Sequence, residues 1–147
     1  MKLATWCAVL LLWACPFGAS AQVVAPTADD ALYRAFGGQD GLVKLMDDFM
    51  RRLLADRRMN PFFKDVNQQQ VKDQLVVQIC ELTGGPCKLK GPGMRQVHDN
   101  IDITRADFNA LVEVLQQSMD AQGIAFTDQN RLLAKLAPMH REIVNTP

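Results

Sequence analysis

The chain has 147 residues, a length that favours a single domain. Hydrophobic residues make up 48% of the sequence, which is enough for a buried core, and the formal net charge is zero. A neutral charge balance gives no electrostatic basis for binding nucleic acid or an anionic membrane surface, so we expect neither partner on these grounds.

The first 21 residues are predicted to be a signal peptide and not part of the fold. Lys2 is a minimal positive region, residues 8–14 are an apolar stretch, and residues 19–21 (Ala-Ser-Ala) form a small-residue cleavage site. The apolar stretch is shorter than the roughly 20 residues that cross a bilayer as a helix. We therefore expect a mature chain that begins at Gln22 in an exported compartment, with the periplasm preferred.

A lipoprotein signal is the alternative for the same segment. Residues 12–15 resemble a lipobox in which Cys15 is the lipidated residue, although Trp13 is large for its position. Lipidation at Cys15 is the one route by which the sequence predicts membrane attachment. Residues 22–30 are expected to be a flexible leader, and residues 31–147 the folded domain.

The mature chain is predicted to be helical throughout, because it has no convincing period-two strand pattern. Thr27 is expected to cap a short first helix that ends at Gly37-Gly38. A second helix, predicted to start near Asp40, carries a wide amphipathic stripe and ends before Asn60-Pro61. The apolar positions of this stripe are Leu42, Leu45, Met46, Phe49, Met50, Leu53 and Leu54.

Asn67 is expected to cap a third helix over about 68–83, which ends at the run 84–86 (Gly-Gly-Pro). Its inward face carries apolar residues at helical spacing, and two glutamines flank that face. The apolar residues are Val71, Leu75, Ile79 and Leu82, and the glutamines are Gln74 and Gln78.

Two further helices complete the predicted set. Thr104 and Asp107 resemble a capping box that starts the first of them, which stops at Gly123. Thr127 is expected to cap the last helix, which Pro138 should kink.

A long irregular stretch, residues 84–103, separates the third helix from the one that follows Thr104. Connections in a regular helix bundle are about 2 to 8 residues, and a longer loop in a compact domain is usually functional. Cys80 and Cys87 are the two cysteines left after removal of the signal peptide. In an exported protein a disulfide between them is favoured over two free thiols, and it would tie down the loop that leads to His98.

His98 ends a short helical run that also carries Met94 and Val97, and it follows a loop rich in glycine and proline. A neutral imidazole held among apolar side chains suits a single axial bond to a haem iron. A lone histidine is also commonly a satisfied core or surface side chain, so residue type and spacing leave both interpretations open. His140 is expected to be such a structural residue.

The chain carries six short motifs in a fixed order. They are residues 32–38 (LYRAFGG), 48–56 (DFMRRLLAD), 61–63 (PFF), 83–86 (TGGP), 91–98 (GPGMRQVH) and 103–108 (ITRADF). Together they resemble the truncated haemoglobins, most closely their first group, over residues 32–144. This resemblance implies an all-α, truncated globin-like sandwich of two helices over two helices around one haem b.

The resemblance also implies site residues. His98 matches the proximal iron ligand and would be the metal ligand, and Phe63 matches the aromatic residue on the haem face. Gly37-Gly38 and Gly84-Gly85 match the glycine pairs that permit the shortened fold. Other side chains expected to line the haem slot are Phe49, Met50, Phe62, Leu75, Ile79 and Met94, and those expected near the haem propionates are Lys88, Lys90 and Arg95.

Met50 stands where this family usually has a tyrosine whose hydroxyl donates a hydrogen bond to oxygen. Methionine cannot donate, and losing a bond of about 1 to 3 kcal/mol weakens oxygen binding about 5- to 150-fold. The other expected distal residues are Val71, Gln74, Leu75 and Gln78, with the Gln74 amide preferred as the replacement donor. The alternative is that both glutamines are solvated and contact no ligand. A thioether also ligates haem iron, which leaves Met50 as a second candidate ligand.

The leading functional prediction is reversible binding of oxygen, nitric oxide or carbon monoxide at a five-coordinate iron on His98. A nitric oxide dioxygenase or a weak haem peroxidase is the alternative on the same scaffold. Either enzyme would need an external electron donor, because the sequence carries no flavin or nicotinamide motif. A haem-free helical structural domain is the third hypothesis.

Overall fold

The computed structural model describes residues 30–146, and within them every regular element is a helix. The long helices are α2 (Gly38–Ala55), α4 (Gln68–Leu82), α6 (Arg105–Ala121) and α7 (Phe126–Leu136). The short ones are α1 (Ala31–Ala35), α3 (Asn60–Phe63), α5 (Met94–His98) and α8 (His140–Ile143), with a 3₁₀ turn at Ala137–Met139. The predicted all-α class is confirmed.

Several sequence predictions fall outside the described residues. They concern the signal peptide over 1–21, the lipobox at Cys15, the leader up to residue 29 and the cap at Thr27. Within residues 30–146, none of the helices combines the length and the apolar character that a membrane crossing requires.

Helix α2 is the central element of the fold. It packs against α4 on one side and α6 on the other, while α7 packs on α6, so that two helix pairs face each other. Leu42, Leu45 and Leu53 of α2 are completely buried, as their spacing along one helical face requires. Burial of a leucine side chain contributes about 1.5–3 kcal/mol, so this stripe accounts for the position of α2 in the core.

Two predicted helix caps are confirmed. The backbone N–H of Gln70 donates to the Asn67 side chain over 3.1 Å at the start of α4. At the start of α6, the Asp107 N–H donates to the Thr104 hydroxyl and the Thr104 N–H donates to the Asp107 carboxylate, over 3.2 and 2.9 Å. These side chains replace partners that the first turn of a helix lacks, a contribution of about 1 kcal/mol each.

The predicted cap at Thr127 is wrong. Helix α7 begins one residue earlier, at Phe126, and its N-cap is Ala125, which makes no side-chain capping bond. The preceding turn fixes the start of α7, because the side-chain amide of Gln129 donates to the carbonyl of Ile124 over 2.9 Å. The predicted kink at Pro138 takes the form of the 3₁₀ turn between α7 and α8.

Candidate functional site

Two cavities mark the surface formed by residues 30–146. The first, here called the α2–α4 groove, has a volume of about 640 Å³ and is crossed by an ion pair of 2.6 Å between Lys72 and Asp47. The second, here called the His98 cavity, has a volume of about 580 Å³ and a mostly apolar wall. Only the second combines that wall with a histidine, so it is the candidate site.

Five parts of the chain form the His98 cavity: the α3 corner, one face of α4, the segment 89–103, the start of α6 and Ile143 at the end of α8. The sequence analysis predicted eight of its lining residues as haem-slot, distal or propionate residues, and Phe62 beside them. These eight are Phe63, Val71, Gln74, Leu75, Gln78, Lys90, Met94 and His98.

The structure places four other predicted residues away from this wall. Phe49 and Ile79 are each 3% exposed and pack in the core between α2 and α4. Met50 lines the α2–α4 groove, and Arg95 is exposed on α5. Lys88, from the propionate set, is also exposed and pairs with Glu81.

Sequence reasoning missed several lining residues outside the long helices. Val66, Val97 and Ile101 are 43%, 45% and 38% exposed, yet all three line the His98 cavity. They make up three of the five large apolar side chains that are exposed in the described part of the chain. A cluster of exposed apolar side chains at one cavity is typical of a surface that binds a ligand or a partner. For Val66 and Ile101 the sequence offered one signal, an apolar residue among polar neighbours outside any predicted long helix.

His98 has a defined hydrogen bond. Its Nδ1 lies 2.7 Å from the carbonyl oxygen of Met94, four residues earlier on α5. A carbonyl only accepts, so Nδ1 carries the proton and donates. In the neutral ring, Nε2 then keeps its lone pair, which is the form in which imidazole binds a metal ion.

The loop after α4 is tied back to that helix. The Glu81 carboxylate accepts the N–H of Leu89 over 2.8 Å and an ammonium hydrogen of Lys88 over 3.3 Å. These two donors, the backbone one first, hold the pKa of Glu81 below its ordinary value. The sulfur atoms of Cys80 and Cys87 are bonded, with Cα atoms 5.7 Å apart. Both ties fix the segment that brings Leu89 to the cavity wall.

The polar residues on the wall differ in their surroundings. Gln78 is 8% exposed, and its Nε2 lies 3.2 Å from the sulfur of Met139 and 3.9 Å from that of Met94, both weak acceptors. Gln74 is exposed at the edge of the cavity. Asp107 is engaged in the α6 capping box, and its hydrogen bonds from Thr104 lower its pKa. A ligand in the cavity therefore meets few polar groups.

Comparisons with known proteins identify the family. The sequence model described as bacterial-like globin matches residues 31–145. A group 1 truncated haemoglobin of Mycolicibacterium paratuberculosis is 29% identical over 113 residues, covering 77% of this chain and 83% of the relative. Another, from a Nostoc species, is 24% identical over 114 residues and covers 78% and 97% of the two chains.

Solved structures agree in fold. The ferric truncated haemoglobin of Tetrahymena pyriformis has a TM-score of 0.74 at 23% identity, covering 78% of this chain and 98% of that one. The 2/2 haemoglobin of a Synechococcus species, solved with covalently attached haem, has a TM-score of 0.72 at 22% identity, with coverage of 78% and 98%. The chain therefore belongs to the bacterial-like globin family, and its resemblance to the truncated haemoglobins is confirmed.

Proposed function

We propose that this protein binds one haem b in the His98 cavity, with His98 as axial ligand, and that it binds diatomic gases reversibly. Membership of the globin family supports a haem cofactor and gas binding in general. The observation that carries the assignment to this cavity is the 2.7 Å contact between Nδ1 of His98 and the carbonyl oxygen of Met94. Nδ1 is thereby committed to the Met94 carbonyl, which leaves Nε2 as a ligand in an apolar wall.

The chemistry of the wall fits this cofactor. A haem needs an apolar slot, an axial ligand and cations near its two carboxylates. Phe63 and Leu75 offer apolar surface, and Lys90 at the rim offers a charge-assisted bond to a carboxylate. The exposed Val97 and Ile101 would be covered by the macrocycle. When bound, haem supplies a ferrous iron that coordinates a small gas molecule.

The chain's own residues set the preference among gases. Val71 and Leu75 present apolar groups to the cavity, while Met50 lies on the α2–α4 groove. The side-chain hydrogen-bond donors on the wall are the amides of Gln70, Gln74 and Gln78 and the ammonium group of Lys90, and the Gln78 amide faces two thioethers. Oxygen gains most from a donor, so we expect faster oxygen release than in relatives with a distal tyrosine, and less effect on carbon monoxide.

Export is part of the same proposal. We expect cleavage after Ala21, and a disulfide between Cys80 and Cys87 in the mature protein, as suits an oxidising compartment. Mass spectrometry of protein recovered after expression of the full chain distinguishes a free Gln22 from a lipidated Cys15. Finding two free thiols in the unreduced protein would contradict the disulfide.

The test of haem binding is the visible absorption spectrum of the mature protein, recorded oxidised, reduced, and reduced with carbon monoxide. We expect a haem band that shifts with carbon monoxide. His98→Gly should lose the haem or its normal spectrum and regain it with added imidazole, whereas the matched variant His140→Gly should keep it. A folded, helical protein that takes up no haem would refute the proposal and favour a structural domain.

A further inference from the structure

Helix α5, which carries His98, is too short to hold its own position. It has five residues, its N-cap Gly93 makes no side-chain capping bond, and three of its residues, from Arg95 to Val97, are exposed. Isolated helices below about 12 residues are marginal in water, so tertiary contacts must place this one. Among the described helices, α5 packs mainly against α8, near the end of the described residues.

Asn145, two residues after α8, makes an unusual set of hydrogen bonds. Its Nδ2 donates to the carbonyl of His98 over 2.9 Å and to that of Ile101 over 2.7 Å. Its Oδ1 accepts the N–H of Ile103 over 2.9 Å. One side chain thus uses both of its donor hydrogens and its acceptor on three backbone groups of the segment that follows α5.

The backbone reinforces this attachment. The N–H groups of Asn145 and Thr146 both donate to the carbonyl of Ile103, each over 3.2 Å. Ile143, just upstream, lines the His98 cavity together with Ile101 and Ile103. The C-terminal segment therefore joins the carbonyl end of α5 to the cavity wall, across more than forty residues of sequence.

We propose that Asn145 is a positioning residue for the axial ligand: by holding the carbonyl of His98 it fixes the end of α5 and hence the direction of the imidazole. The proposal rests on the proposed haem site, because the direction of the imidazole matters only if His98 binds the iron. The ring is already anchored at Nδ1 to Met94, in the first turn of α5. Asn145 holds the other end of the same five-residue helix.

Asn145→Asp is the informative variant. It keeps an oxygen to accept the Ile103 N–H but replaces the two N–H donors with an acceptor that faces two carbonyl oxygens. Asn130→Asp, at an exposed asparagine of α7, is the matched control for the added charge. Partners behind a metal ligand typically matter 10- to 100-fold, and Asn145 acts one step further back, so we expect haem loss to quicken about 3- to 10-fold.

Two measurements separate positioning from general stability. The first is the iron–histidine stretching band in the resonance Raman spectrum of the reduced protein, which should shift or broaden in Asn145→Asp and stay unchanged in Asn130→Asp. The second is the free energy of unfolding in urea, which should fall far less than the haem-loss rate rises. An unchanged band and a haem-loss rate within twofold of wild type would overturn the proposal.

The haem-free wild-type protein gives a separate test. The amides of Ile103 and Asn145 should exchange with deuterium at least about 10-fold more slowly than in an unfolded chain, because both are bonded. Exchange at the unfolded-chain rate would show that these hydrogen bonds do not form, and it would refute the proposal without a variant. If wild type takes up no haem, the proposed function fails, whereas the exchange result still decides whether Asn145 holds the segment.

Discussion

Replacing Gly85 by alanine tests whether the turn after α4 can accommodate a side chain. This turn leads into the loop that reaches the His98 cavity. A Cβ at Gly85 would lie 2.6 Å from Sγ of Cys80, 2.9 Å from its carbonyl oxygen and 2.8 Å from Cδ2 of Tyr33. None of these atoms is the free end of a flexible side chain. Cys80 is completely buried in α4, and the backbone N–H of Tyr33 donates a hydrogen bond to the carbonyl of Thr83. The added methyl group therefore forces a backbone shift.

Overpacking of this kind costs about 1–3 kcal/mol of unfolding free energy. Gly93→Ala, in the same loop, is the matched control, because no atom lies within 4 Å of its Cβ and its φ of −69° suits any residue. Alanine at such a site stabilises by about 0.4–1 kcal/mol by restricting the unfolded chain. The two variants should therefore differ by about 1.5–4 kcal/mol.

Urea unfolding followed by far-ultraviolet circular dichroism measures this difference, with and without haem. Adding Tyr33→Ala to Gly85→Ala removes one of the three close contacts, so the double variant should lose less stability than the sum of the two single changes. If Gly85→Ala unfolds within about 0.5 kcal/mol of wild type, the contact geometry does not limit this turn.

Three further changes test individual parts of the site. Thr104→Val should cost about 1 kcal/mol at neutral pH. Its deficit should shrink as the pH falls below the ordinary pKa of aspartate, because Asp107, whose pKa is lowered when folded, loses its contribution on protonation. Joint replacement of Cys80 and Cys87 by serine should lower the free energy of unfolding in urea by about 2–3 kcal/mol. The wild-type protein with its disulfide reduced should show the same loss. Gln74→Leu should raise the oxygen dissociation rate, measured by stopped-flow, about fivefold. An unchanged rate would show that the Gln74 amide is not the hydrogen-bond donor to oxygen.

Helix ends that are set by residues nearby in the sequence were predictable. Asn67 and Thr104 bond to N–H groups three residues ahead, so the signal lies within one turn. The start of α7 depends instead on Gln129 bonding back to Ile124, and on Ile124 bonding to Met119 in α6. A cap predicted from Thr127 alone could not include these contacts between elements.

The lining of the His98 cavity was predicted from motifs at the α3 corner and α5 and from periodicity on α4, but periodicity failed on α2. His98 and Phe63 stand in short motifs with fixed spacing. On α2, however, the apolar stripe is wide enough to bury neighbours about 100° apart around the helix, and periodicity does not tell what each one faces. Phe49 therefore packs in the core while Met50, the next residue, lines the α2–α4 groove.

The two irregular walls of the His98 cavity are held by hydrogen bonds to backbone groups and not by apolar packing alone. Glu81 holds Leu89 on one wall, and Asn145 holds Ile103 on the other. Neither bond needs a cofactor, so the cavity should keep its outline without haem. Val97 and Ile101 are different, because both are exposed and would be covered only by the proposed haem. Haem binding should therefore raise the unfolding free energy in proportion to the logarithm of haem concentration, with little change in helix content.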